Sequence, residues 1–352
     1  MKKTKIMASA ICAAALAAVA QDAAPAEEEE ASFPLLTAAK ELGLSATLEV
    51  TASWTKQGDD KDSDVNLDTA EIDLGGKITD RLSVAFAILY EEGEDVCFDV
   101  AEFEYEFEAV EGLVLHGGQL YMPFGVFETA LVSDPLTLEL GEISDAAIGL
   151  KWSNDLVGFG AYVFGGDLND ETDDADELQY VAFAQLTPFE GLTLSAAVLS
   201  DIGEAGLRDT VLDALEEGVE GEDGEKEDGS YDGSVGLNFA AVFEAGDFTV
   251  AAEWVGAADD VELNGEKNKP QAWALDLAWA VADDWTLGAR YEGSKDFLPD
   301  EMPETKFAVG AEWAFDEHAA VALEYAWGRF EKVDGERPDD RHMVSTKLAV
   351  EF

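Results

Sequence analysis

Cysteine, histidine and basic side chains are scarce in this chain. Of 352 residues, 2 are Cys and 3 are His, and 21 Lys and Arg face 77 Asp and Glu, a formal net charge of -56. Cys12 belongs to an N-terminal leader, so Cys97 is the only thiol left to the mature chain and no intramolecular disulfide can form. A lone thiol where a loop meets a strand reads as a bystander, not a redox or metal group. The acid excess repels nucleic acid and works against anionic solutes. Long apolar runs are missing too. Beyond the leader nothing approaches the roughly 18 residues of a membrane helix, so this chain can enter a bilayer only as a closed barrel. Catalytic signatures are also wanting: there is no GxSxG or HExxH, and His116, His318 and His342 have no serine placed with them at one mouth. No enzyme and no cofactor are expected.

What is present begins with Lys2, Lys3 and Lys5, an apolar run over 6–19 and the tripeptide Ala18-Val19-Ala20, the pattern of a secretory signal peptide over residues 1–20. Residues 21–43 form an Ala/Pro/Glu tail with a short helical stretch at 35–42 stopped by Gly43, expected as a periplasmic N-terminal extension. From Leu44 the pattern changes. Leu44, Ala46, Leu48, Val50, Ala52 and Trp54 alternate with Ser45, Thr47, Glu49, Thr51 and Ser53, a period of two. The same grammar recurs at 70–78, 82–90, 101–107, 113–121, 145–152, 157–164, 178–187, 192–200 and 233–243. It continues at 247–255, 270–281, 285–292, 305–315, 319–327 and 342–352. These segments predict an all-β fold over residues 44–352, an antiparallel transmembrane β-barrel of about 16 strands with apolar parity toward lipid.

Connection lengths agree with that reading. Short links at 79–81, 108–112, 153–156, 188–191, 244–246, 282–284 and 316–318 alternate with long ones at 55–66, 91–96, 122–144, 165–177, 201–232, 256–269, 293–304 and 328–341. Short periplasmic turns and longer outer loops are the rule for outer-membrane barrels. All 8 Trp fall on apolar parity, mostly near strand ends, as an interfacial girdle requires. The last strand ends in Phe352, the terminal aromatic that barrel assembly machinery reads. The expected setting is the bacterial outer membrane, in contact with its lipid and lipopolysaccharide, with a homotrimer suggested by architecture.

The polar parity then lines a lumen with Glu49, Glu71, Asp73, Glu102, Glu104, Glu106, Glu253, Asp276, Arg290, Glu312 and Glu324. Acid rings of this kind favour cations. Among the long connections, residues 117–142 (GGQLYMPFGVFETALVSDPLTLELGE) stand apart, because their apolar side chains are poorly suited to open water. This segment is expected to fold into the lumen and narrow it. Tyr121, Phe124 and Phe127 would supply apolar contact, and Gln119, Glu128, Asp134, Glu139 and Glu142 polar groups. Asp60, Asp62, Asp64, Asp68 and Glu71 match calcium-loop spacing, but Val65 occupies the glycine position, so no metal cage is expected. The segment LRDTVLDALEE within 201–232 reads as a short amphipathic helix.

The motif GGQLYMPFGVFE followed by SDPLTLELGE resembles the corresponding segment of the LbtU-type siderophore porins, over roughly Leu44 to Phe352. That resemblance implies an outer-membrane barrel for passive uptake of ferric siderophore without an energised plug. The residues themselves leave a general cation-selective porin open.

Overall fold

The computed structural model describes residues 43–91, 93, 95–168, 178–220, 226–227, 229–298, 301–332 and 337–352, and the structural statements concern these. The signal peptide and most of the N-terminal extension expected from the sequence lie outside them. Sixteen strands close into one antiparallel barrel. In chain order they are β1 (Leu44–Gln57), β2 (Asp60–Lys77), β3 (Leu82–Glu91), β4 (Cys97–Glu106), β5 (Leu113–Tyr121), β6 (Ser144–Ser153), β7 (Val157–Phe164) and β8 (Gln179–Phe189). The circuit continues with β9 (Leu192–Leu199), β10 (Gly236–Ala245), β11 (Phe248–Ala257), β12 (Gln271–Ala282), β13 (Trp285–Lys295), β14 (Thr305–Asp316), β15 (Ala319–Arg329) and β16 (Arg341–Glu351). Two helices lie in the connections, α1 (Leu136–Gly141) and α2 (Arg208–Glu217).

Closure is made by β1 and β16, paired from Thr47 with Glu351 to Gln57 with Arg341. Phe352 and Ala46 extend that ladder by exchanging backbone hydrogen bonds of 3.1 and 3.2 Å. The sheet closes on itself, so the wall's backbone groups are satisfied mainly between neighbouring strands. Large apolar side chains point outward and stay uncovered, Ile72 at 51% and Leu323 at 55% exposure among them, which is the arrangement of a wall meant for hydrocarbon. Tryptophan marks both rims of that wall. Trp54, Trp254, Trp273 and Trp327 lie toward the long-loop end, and Trp152, Trp279, Trp285 and Trp313 toward the short-turn end. Trp285 and Trp313 are register partners whose rings stack 5.8 Å apart.

Three expectations need correction. The connection assigned to 55–66 is a hairpin that turns at Gly58 and Asp59, because β1 and β2 continue their ladder to Gln57 and Asp60. Residues 256–269 likewise contain a small hairpin, Val261–Leu263 with Glu266–Asn268, joined by Tyr231–Asp232 into a three-stranded sheet. Thirdly, the rule that inward parity is polar fails on β7 to β9. There Tyr162, Phe164, Val181 and Leu199 point inward and are almost fully buried, because the connections fold over them and the barrel mouth has a hydrophobic core of its own.

Candidate functional site

The segment between β5 and β6 lies inside the barrel. It leaves the wall at Met122, whose amide donates to Ile143 O at 2.9 Å, and its helix α1 packs against β11, β12 and β13. Small inward residues on those strands and their neighbours make the seat. A Cβ on Gly288 would come within 2.8 Å of Ala130 O, and one on Gly310 within 2.8 Å of a Leu131 methyl. Leu131 fills the recess beside Ala308 and Ala326. On its other side the segment presents Leu120, Met122, Phe124, Leu136, Leu140 and Ile143 to the core at the barrel mouth. The connection after β9 covers it there. Gly206 N donates to Leu140 O at 3.2 Å, an approach so close that a Cβ at Gly206 would collide with Glu139 O.

Carboxylates of the wall hold this segment in place by its own amides. Glu253 on β11 accepts from Val126 N at 2.8 Å, Phe127 N at 3.0 Å, Thr137 Oγ1 at 3.1 Å and Asn238 Nδ2 at 2.7 Å. Consecutive amides converging on one carboxylate require a kinked backbone, and Phe127 has φ of 53°, a left-handed conformation rare for a bulky residue. Glu292 on β13 accepts from Leu136 N at 2.7 Å and so caps the start of α1, where Pro135 supplies no side-chain cap. Glu324 on β15 accepts from Ser133 N at 2.8 Å and Ser133 Oγ at 2.7 Å.

Arg290 ties these contacts together. Its side chain is fully buried; Nε donates to Glu292 at 2.9 Å, Nη1 to Thr129 Oγ1 at 3.0 Å, and Nη2 to Ser133 O, Ser133 Oγ and Asp134 O at 2.8, 2.8 and 2.9 Å. Asp276 stands 3.9 Å from the guanidinium, and Lys306 Nζ lies 3.1 Å from Glu292. The planar fork of Arg satisfies one carboxylate and four loop acceptors at once, which a lysine cannot do.

These positions change the picture drawn from parity. Glu253, Asp276, Arg290 and Glu324 do point inward, but each is covered by the inserted segment and faces protein instead of open water. Phe124 is likewise sealed in the mouth core and offers no apolar contact to a solute. Glu292, Lys306, Thr129 and Ser133 were not singled out from sequence. Arg290 and Glu292, opposite charges two residues apart on one strand face, are the sequence signal for an internal clamp.

The remaining acids surround the uncovered part of the lumen. On the inserted segment Asp134 and Glu139 are exposed and Glu142 is half-buried. Burial, and after it the neighbouring carboxylates of Asp134, Asp99, Glu139 and Glu91, pushes the Glu142 carboxyl up to about 7. Opposite, β2 carries Asp60, Asp62, Asp64, Glu71 and Asp73 on the face that pairs with Gln57, Thr55, Ser53, Thr47 and Ser45 of β1. Asp68 joins this ladder at a bulge, accepting from Thr51 Oγ1 at 3.0 Å, and Ser45 Oγ donates to Asp73 at 3.2 Å. Five of these positions lie along extended backbone, so the calcium-loop spacing does not form a loop.

On β4, Asp99 Oδ1 accepts from Tyr121 OH at 2.6 Å, while Oδ2 is buried without a hydrogen-bond partner. Gln119 donates to Ser144 Oγ at 3.1 Å. Basic groups on this side are few and already paired, Lys347 with Glu49 at 3.2 Å and Lys151 with Glu104. Glu102 meets His116 Nε2 at 2.9 Å, and His116 Nδ1 meets Tyr162 OH at 2.8 Å. Glu106 is exposed near the short-turn end, Glu312 is half-buried within the lumen parity of β14, and Glu128 is half-buried beside Glu253 in a water-sized cavity. A larger cavity of about 420 Å³ opens above the segment, lined by Asp134, Glu139, Met302, Lys306, Phe330 and Arg341 among others.

No family model matches the chain. It is similar to UPF0422 proteins of Legionella pneumophila, 22% identical over 306 residues to that of strain Lens and 23% over 300 to that of strain Philadelphia 1. Each alignment covers 76% of this chain and 55% of the relative, so the chain spans about half the length of the relatives it matches. Among solved structures it resembles Salmonella typhi OmpF in complex with daunomycin, with a TM-score of 0.61, 15% identity, and coverage of 88% of this chain and 97% of that one. It also resembles the outer membrane channel DcaP of Acinetobacter baumannii, with a TM-score of 0.56, 13% identity and coverage of 88% and 96%. A third resemblance is to OmpT of Vibrio cholerae in a trimer form, with a TM-score of 0.56, 12% identity and coverage of 88% and 99%. The fold is that of the outer-membrane porins of Gram-negative bacteria, and the apolar outward wall with two aromatic rims suits that membrane.

Proposed function

We propose that the chain forms a passive diffusion channel of the outer membrane that admits small solutes and favours cations. One observation supports this reading above the others: at the level of the inserted segment, carboxylates face the open lumen from both sides. Asp134, Glu139 and Glu142 belong to the segment, and Asp68, Glu71 and Asp73 to the wall opposite. A lumen lined by one sign of charge and bounded by low-dielectric walls concentrates counter-ions and excludes co-ions. The clamp on β11 to β15 serves this path indirectly, since it fixes how much lumen the segment leaves open. No chemical step is assigned to the protein.

A second reading is passive uptake of iron-loaded siderophore, suggested by the resemblance of the segment over residues 117–142. The cavity above the segment favours it by its size of about 420 Å³ and by Lys306, Arg341, Met302 and Phe330 on its walls, although Asp134, Glu139 and Glu301 line it too. Against it stands the acid path below, which repels an anionic chelate. Single-channel recording of the purified protein in planar bilayers tests both readings. Steady conductance that ferric siderophores leave unchanged supports the first; concentration-dependent block by a ferric siderophore and not by its iron-free form supports the second. Absence of conductance refutes both. We further propose a homotrimer, tested by mass in mild detergent, and recognition of the exposed Phe352 by the assembly machinery, tested by outer-membrane yield of Phe352→Ala.

A further inference from the structure

The outward face of the barrel carries a second charge anomaly, independent of the lumen. Most bases of the described residues are neutralised by a carboxylate, as Arg81 is by Glu108 at 2.8 Å. Lys56 and Lys61 have no ion pair among the described residues, although the chain holds 77 acids. They are direct register partners across β1 and β2. Their face is the outward one, shared with Trp54 two residues below, which is 39% exposed. Like charges directly opposite, with Cβ atoms about 4.5–5.5 Å apart, repel and destabilise a ladder. The row continues with His342, the partner of Lys56 on β16, and Trp327, the partner of His342 on β15. Arg329 lies one rung further out on that face, its guanidinium 5.8 Å from the Trp327 ring centre, but it is paired with Asp340 at 3.6 Å, which also accepts from Trp327 Nε1, so the two lysines are the unneutralised part of the row.

We propose that this row binds the phosphorylated headgroup of an outer-leaflet lipid. Three elements support the choice. The lysines lie at the level of the outer aromatic rim, where a headgroup layer, and not bulk water, meets the wall. Their long apolar stems can lie along the wall while the ammonium groups reach the polar layer. An anion bridging Lys56 and Lys61 removes the repulsion that the unoccupied pair carries, and the exposed Trp54 beneath offers an apolar surface to the same lipid. Free phosphate would gain the charge contact without that second one.

The test uses the full chain in detergent, with native mass spectrometry reading bound lipid. The probes are bisphosphorylated lipid A and the same lipid stripped of its phosphates. Wild-type protein is expected to retain the phosphorylated form and to bind the stripped form at least tenfold more weakly. Lys56→Gln with Lys61→Gln should lose about thirtyfold in affinity for the phosphorylated form, the factor two basic groups carry at a charged membrane surface. Lys56→Arg with Lys61→Arg should keep it. Equal binding of both lipids, or unchanged binding by the double Gln variant with its barrel intact, overturns the proposal. Full displacement of the lipid by millimolar inorganic phosphate overturns it in favour of a free anion site. If the double variant does not fold, Lys61→Gln alone, at an exposed position, must show a partial loss for the proposal to stand.

Discussion

The wall from β11 to β15 and the wall from β1 to β4 are built from the same alternation and both carry inward acids, yet they use them in different ways. On the first, Glu253, Glu292 and Glu324 are buried and satisfied by amides and hydroxyls of the inserted segment, with Arg290 and Lys306 supplying countercharge. On the second, Asp60, Asp62, Asp64, Asp68, Glu71 and Asp73 run down one strand with hydroxyl and amide neighbours across the ladder, and the inward base Lys347 is engaged by Glu49. Small residues decide which wall is covered. Ala272, Ala274, Gly288, Ala308, Gly310 and Ala326 leave room for a chain to lie against β12 to β15, whereas β2 and β4 fill that depth with carboxylate stems. An inward acid is therefore structural where its strand neighbours are small, and available to solutes where they are not.

The comparison breaks most severely at Arg290. Arg290→Met leaves Glu292 buried without its main partner, a loss of about 3–5 kcal/mol by analogy with other broken buried pairs. Thermal unfolding should report it as a clear fall in Tm, and single channels should become larger and noisier as the segment leaves its seat. Glu253→Gln keeps the shape but puts an amide NH2 where one carboxylate oxygen accepts two of the four hydrogen bonds, and should cost less, about 1.5–3 kcal/mol. The same unfolding assay ranks the two.

Substitutions on the open wall should do the reverse. Glu71→Gln with Asp73→Asn is expected to leave Tm within about 0.5 kcal/mol of wild type in stability while lowering cation preference measured in bilayers. A fall in Tm as large as that of Arg290→Met would erase the distinction between the walls. The smallest effect concerns pH. The Glu142 carboxyl, raised to about 7, contributes stability that is fully present below the ordinary carboxylate range and is lost as pH rises through about 7. Its negative charge appears over the same interval, so cation preference should rise between about pH 6 and 8 and Glu142→Gln should flatten that step while gaining stability at the alkaline end.

Much of this architecture is legible in the sequence because period two survives in most strands, and the two-solvent wall leaves few other readings. The inserted segment announces itself as well, through Met122, Phe124, Leu131 and Leu136 in a connection otherwise expected to be polar. The hairpin at Gly58 and Asp59 is hidden, since lysines and aspartates replace apolar residues where β1 and β2 pass the outer rim and the alternation loses its contrast. Long-range pairing hides the clamp: Glu253 and Val126 are 127 residues apart, and parity says only that an acid points inward, not what it meets. Apolar inward residues such as Tyr162 and Val181 mislead for a related reason, because their cover comes from connections remote in sequence.

The most direct test of the account is the reversal potential across a planar bilayer under a salt gradient, compared between wild type and the variant carrying Asp134→Asn, Glu139→Gln and Glu142→Gln. The account predicts a cation-preferring potential in wild type that shrinks markedly in the variant while its Tm does not fall. Anion preference in wild type, or an identical potential in both proteins, would contradict it.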